Sequence, residues 1–167
     1  MSRTLKLSLL TLVFSQVACT QVVVENPAAV LGAQLSVERF LQAANQRDVQ
    51  AMGRLFGTSE GAALDTGGTV GCAFKKIGSA FGGDSCVKRQ EVEIRMDAIA
   101  SILEHEDYRI GREERVAGRT NPATRVYVDM TTGQGRSVKN VPFVVVQDGD
   151  GRWLIENVDL QRVMAAR

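Results

Sequence analysis

Between residues 108 and 163, four stretches with strand character are separated by reversals too short to hold a crossover. The stretches are residues 108–119, 124–132, 138–147 and 153–163, and the separators are Thr120-Asn121-Pro122, Gly133-Gln134-Gly135 and Asp148-Gly149-Asp150-Gly151. Parallel neighbours need a connection of a dozen or more residues, so strands joined this tightly run antiparallel and the C-terminal half is a meander. In the second stretch Val126, Val128 and Met130 alternate with Tyr127, Asp129 and Thr131, the pattern of a sheet with one buried face.

The N-terminal half carries helical spacing instead. Val37, Phe40, Leu41 and Ala44 recur behind Ser36 as a cap, and Val49, Met52, Leu55 and Phe56 recur behind Asp48, predicting two helices that meet near Arg47. Gly57 is the expected C-terminal stop. A third helix is predicted over residues 91–105 from Val92, Met96, Ile99, Ile102 and Leu103. The sum is one α+β domain, in keeping with 167 residues, 44% apolar and 23% charged.

The first residues have another character. Arg3 and Lys6 precede an apolar run from Leu7 to Ser15, and small residues follow at Val17 and Ala18, the three-part layout of a secretory signal peptide. The run is shorter than the roughly 20 apolar residues a membrane span needs. Val17-Ala18-Cys19 resembles the lipobox of bacterial lipoproteins, although Gln16 stands where that family favours an aliphatic residue. The resemblance implies a signal peptide over residues 1–18, a diacylglyceryl thioether on Cys19, and membrane attachment through that lipid. Thr20, rather than an Asp, then points to the periplasmic face of the outer membrane. The alternative is a plain secreted protein with a stray thiol. With Cys19 lipidated, Cys72 and Cys86 remain as a candidate disulfide; its loop of about 15 residues would contribute about 3 kcal/mol, and two free buried thiols are the alternative. Residues 19–34 read as anchor and tether, with Pro27 and Gly32 arguing against a long helix there.

Residues 57 to 83 hold eight of the sixteen glycines, at 57, 61, 67, 68, 71, 78, 82 and 83, so regular structure is expected to fail through much of this insertion. Phe74, Ile77 and Phe81 fall at helical spacing beside Lys75 and Lys76. Two readings stand: an amphipathic turn that plugs the core, or a lid whose basic edge faces a small apolar or anionic ligand.

The order of elements resembles the NTF2-like (cystatin-like, SnoaL-type) superfamily, a curved sheet wrapped around helices into a cone. Residues 37 to 48 resemble its first helix and the Asp-marked junction into the second, and residues 141 to 155, with Trp153-Leu154-Ile155 after a Gly-containing turn, resemble its closing hairpin. The resemblance covers about residues 33 to 165 and places the NTF2-like domain over residues 35–167. It implies a cone with a Gly-rich, disulfide-tethered insertion, a sheet used for homodimerisation, and, in the enzymes of the superfamily, an acid or base at the bottom of the cone.

Chemistry is sparse. His105, Asp107, Tyr108 and Asp129 are the candidate acid or base groups, yet Glu104-His105-Glu106-Asp107 follows the last apolar residue of the third helix, where a solvated helix end is the favoured expectation. One histidine and three cysteines already assigned leave no donor set for a metal, and no cofactor is expected. Asp148-Gly149-Asp150-Gly151 reads as a hairpin turn rather than a calcium loop, and Gly67-Gly68-Thr69-Val70-Gly71 lacks the Lys-Ser/Thr of a phosphate loop. From Cys19 onward 18 basic and 19 acidic residues leave −1, no footprint for nucleic acid. Arg109, Arg112, Arg115 and Arg119, interleaved with Glu113 and Glu114, suggest a salt-bridged strand face. The expectation is therefore a lipid-anchored periplasmic module that binds or assists without catalysis. The alternative is a cone-pocket isomerase or hydrolase using His105 or Asp129.

Overall fold

In the computed structural model, which describes residues 27–65 and 89–166, the elements run helix, helix, small hairpin, helix, four-stranded meander, helix. Helix α1 spans Pro27–Asn45 and α2 spans Val49–Leu55; β1 (Gly57–Thr58) and β2 (Gly61–Ala62) form the hairpin. Helix α3 is Arg89–Leu103, followed by β3 (His105–Arg115), β4 (Ala123–Thr132), β5 (Ser137–Gln147), β6 (Trp153–Val158) and α4 (Leu160–Ala165). The fold is α+β: four helices among the described residues and an antiparallel sheet in the order β3-β4-β5-β6. Register shifts after His105, Ile110, Val128 and Val144 insert extra residues into the ladder, and such bulges curve the sheet.

One face of that sheet is closed by helices. Val126, Val128, Met130, Val141, Phe143, Val145 and Ile155 are buried in one cluster with Val37, Phe40, Leu41 and Ala44 of α1 and with Val92, Met96, Ala100 and Leu103 of α3. The alternation read in β4 is the alternation observed, because a period of two residues needs no knowledge of the partner strands. Arg47 makes the joint between α1 and α2 by taking a left-handed backbone, φ 53°, while Asp48 accepts a hydrogen bond from the Ala51 N–H at 2.9 Å and caps α2.

Four expectations are corrected. Helix α1 starts at Pro27 and runs through Gly32, against the expectation that these two residues preclude a long helix there, and Ser36 is an interior residue rather than a cap. Proline fits the first helical position, where its missing N–H is not needed. Gly32 is tolerated for a reason outside the helix: a Cβ there would lie 2.6 Å from Trp153 Cδ1, so the bare glycine backbone is what lets α1 rest on the indole. Ser36 donates from its hydroxyl to the Trp153 carbonyl at 2.8 Å, one turn further along the same contact.

Second, α2 ends at Leu55, and Gly57 serves the hairpin, where a side chain would strike the backbone of Gly61 and Ala62. Third, α3 stops at Leu103 and β3 begins at His105, because Asn45 at the end of α1 accepts from the His105 N–H at 3.0 Å and donates to its C=O at 2.8 Å. Fourth, the last strand stops at Val158, where Asp159 accepts from the Arg162 N–H at 3.1 Å and starts α4. The signal segment, Cys19, Cys72, Cys86 and most of the Gly-rich insertion lie outside the described residues.

Candidate functional site

The four candidate acid or base residues separate in the fold. His105 is buried, 7% exposed, which corrects the expectation of a solvated helix end. Its Nδ1 lies 2.7 Å from the Leu103 carbonyl, and its ring meets Tyr108 edge to face at 5.2 Å. The ring thus closes the end of α3, where a terminal carbonyl needs a partner. The reason the sequence misleads here is distance: Asn45, which draws His105 inward, is 60 residues away.

Asp107, Arg109, Asp129, Thr131, Ser137 and Lys139 share the other face of the sheet, around an open groove of about 300 Å³ that Tyr108 and Met130 also border. Strand pairing sets them in two rows. Arg109 stands opposite Asp129, with Lys139 on the next strand; Asp107 stands opposite Thr131, and Thr131 opposite Ser137. In the first row Asp129 Oδ2 is 3.0 Å from Arg109 Nη2 and 3.4 Å from Lys139 Nζ.

The other oxygen of Asp129 accepts the Asn140 N–H at 2.9 Å. Asn140 holds a left-handed backbone, φ 54°, at the bulge where β4 and β5 change register, and its carbonyl accepts from Arg162 of α4 at 2.9 Å. A residue in that region is costly unless its surroundings hold it. Here both of its backbone polar groups are held, one from the sheet and one from α4. The Asn140 N–H and then the Arg109 guanidinium hold the Asp129 carboxyl below its ordinary range against an opposing effect of burial, with the Lys139 ammonium adding to the lowering. Asp129 is therefore an anchored carboxylate and a weak base at neutral pH.

Sequence reasoning placed Asp129 off the buried face but passed over Lys139 and Asn140. A signal was there. In β5 the buried positions run Val138, then Val141, Phe143 and Val145, so the alternation slips by one residue at the bulge.

The rest of this face is ion-paired, as the arginine series suggested, with different partners. Arg112 lies 4.2 Å over the Tyr127 ring and 3.2 Å from Glu114, whose other oxygen accepts from the Tyr127 hydroxyl at 2.8 Å. Arg119 makes two hydrogen bonds to Glu156, 3.0 and 2.7 Å. On the helix-covered side instead, Glu113, just past a bulge in β3 and opposite the buried Val126, accepts from Gln34 of α1 at 3.3 Å.

The turn after β5 is a hairpin: Asp148 accepts from the N–H groups of Asp150 and Arg152 and pairs with Arg152 Nε at 2.9 Å. Arg152 also reaches Asp65 at 2.9 Å, tying the turn to the end of the first described stretch. Among the described residues, no cluster of three His, Cys, Asp or Glu side chains is placed to hold a metal, and no helix is long and apolar enough to cross a membrane. No protein-family model matches the chain and no curated protein matches it, so the groove is read from its own residues.

Proposed function

We propose that the protein is a lipid-anchored envelope module with an NTF2-like cone, held by a lipid on Cys19 at the periplasmic face of the outer membrane, and that it binds or assists without catalysis. One observation carries the non-catalytic reading: Asp129, the carboxylate of the two candidate catalytic groups, is engaged in holding the fold. His105 Nδ1 is taken up by the end of α3, and Asp129 is fastened by Asn140, Arg109 and Lys139. A general base works best with a pKa near the operating pH, and Asp129 is shifted the other way. The cone reading draws support from the covering of one face of a curved meander by α1 and α3, and the anchoring reading from the lipobox-like Val17-Ala18-Cys19.

A second reading, the cone-pocket isomerase or hydrolase, rests on the burial of His105 beside Tyr108. It runs through Nε2: the Leu103 carbonyl can only accept, so Nδ1 carries the N–H and Nε2 is left as the basic ring nitrogen.

Intact-mass spectrometry of the membrane fraction, with Cys19→Ser alongside, tests the anchor. Wild type is expected to lack residues 1 to 18 and to gain the mass of its acyl chains, while the variant stays unlipidated. A wild-type chain of unmodified mass sinks the anchoring reading. The same spectra, with and without reductant, show whether Cys72 and Cys86 are joined.

A further inference from the structure

We propose that the groove on the open face of β3, β4 and β5 binds a small zwitterion of dipeptide size, with its carboxylate over Arg109 and Lys139 and its ammonium at Asp107. The inference rests on the reading of the protein as a binding module and names the ligand class of its exposed face.

Charge sets the polarity. In the row Arg109, Asp129, Lys139, two cations flank one carboxylate, so one positive charge is left over. Arg109 and Lys139 are 78% and 62% exposed, and their remaining N–H donors are open to an incoming oxyanion. The neighbouring row ends in the exposed carboxylate of Asp107, with the hydroxyl residues Thr131 and Ser137 continuing it across the sheet. The groove is thus neutral overall and dipolar along the strands.

Spacing sets the length. Asp107 and Arg109 are two residues apart on one strand, so the rows lie about 6.8 Å from each other. A free amino acid carries its two charges within one residue. A dipeptide spans up to about 7 Å and a tripeptide about 10 Å at 3.3–3.6 Å per residue. The middle case matches the rows, and Thr131 and Ser137, in the row of Asp107, add hydroxyl groups at the ammonium end. The volume of about 300 Å³ sits at the small end of ligand pockets and agrees with that size.

The bulge makes the arrangement a built one. Without the left-handed turn at Asn140, Lys139 would keep strict alternation with Val141 and point to the buried face; the extra residue returns it to the side of Asp129. Arg162 and Asp129 hold that turn from opposite sides.

The test is an amide ¹⁵N–¹H chemical-shift titration of the full chain in detergent micelles with L-alanyl-L-alanine, at constant ionic strength. Its N-acetyl and C-amide forms, alanine, trialanine and sodium acetate are run beside it. Because the charges are exposed, millimolar binding is expected, with shifts centred on Asp107, Thr131, Ser137 and Lys139. Each blocked form should bind about threefold more weakly. In Lys139→Gln the penalty for the C-amide should disappear, and in Asp107→Asn that for the N-acetyl form, while unperturbed shifts elsewhere report that both variants are folded. The proposal is overturned by absent shifts, by shifts centred elsewhere, by equal binding of blocked and free dipeptides, or by acetate acting as strongly as the dipeptide. None of these outcomes touches the anchor, which is read from mass, so failure of the ligand and failure of the anchoring reading are told apart.

Discussion

Replacing Gly32 by Ala sets two effects of known size against each other. In an isolated helix the change is favourable by about 1 kcal/mol, because alanine loses less backbone freedom. In this fold the added Cβ would lie 2.6 Å from Trp153 Cδ1 and 2.8 Å from its Nε1. Overpacking of this kind costs about 1–3 kcal/mol. The backbone that carries the indole is fixed, since the Trp153 carbonyl is tied to Ser36 of the same helix at 2.8 Å and Trp153 pairs with Gln147 of β5. The clash therefore outweighs the propensity gain, leaving Gly32→Ala about 1 kcal/mol less stable than wild type. With a urea slope of about 2 kcal/mol/M, the unfolding midpoint should fall by about 0.5 M. Trp153 is the single tryptophan, so its fluorescence reports both the transition and the contact, and the native emission should shift as well. A double-mutant cycle closes the argument: in a Trp153→Leu background, followed by circular dichroism, Gly32→Ala should turn stabilising. A raised midpoint in the wild-type background with unchanged emission would refute the reasoning, because propensity alone would then govern the position.

Asn45→Ala should cost about 1–3 kcal/mol by urea titration, since it strips both backbone partners from His105 at the start of β3; Asn45→Asp, which keeps only the acceptor, should recover part of that loss. Asp129 has a lowered folded pKa, so its contribution is fully present above the unfolded value of about 3.9 and disappears as pH falls through the folded one. Asp129→Asn should accordingly flatten the acid limb of the urea midpoint below about pH 4, and an acid limb of unchanged steepness would contradict the ion-pair description. At the bulge, Asn140→Gly keeps the N–H and C=O contacts and should change stability by less than about 0.5 kcal/mol. Asn140→Val, β-branched at a left-handed backbone, should lose about 1–2 kcal/mol in the same titration.

What local pattern could decide, it decided well. The buried positions of β4 and the core positions Val37, Phe40, Leu41 and Ala44 of α1 follow from periods of two and 3.6 residues, which depend only on which way successive side chains point. Turn residues alone made the meander antiparallel. The candidate site was half legible: Asp129 lies off the buried face by alternation, and the slip from Val138 to Val141 marks the bulge that brings Lys139 beside it.

What tertiary structure decided turns on contacts between distant residues. Helix α1 reaches back to Pro27 because Gly32 and Ser36 meet Trp153, more than a hundred positions away, and that packing outweighs the local preference of glycine. His105 goes inward because Asn45 satisfies both of its backbone groups, although its neighbours Glu104, Glu106 and Asp107 are charged and exposed. Asn140 adopts its left-handed turn because Asp129 and Arg162 hold it from a strand and a helix that meet only in the folded chain. In each case a hydrogen bond or close contact across the fold, rather than propensity along the chain, supplies the deciding free energy. Cys19 stands at the other extreme: its reading as an anchor comes from the run of residues just before it, with no fold involved.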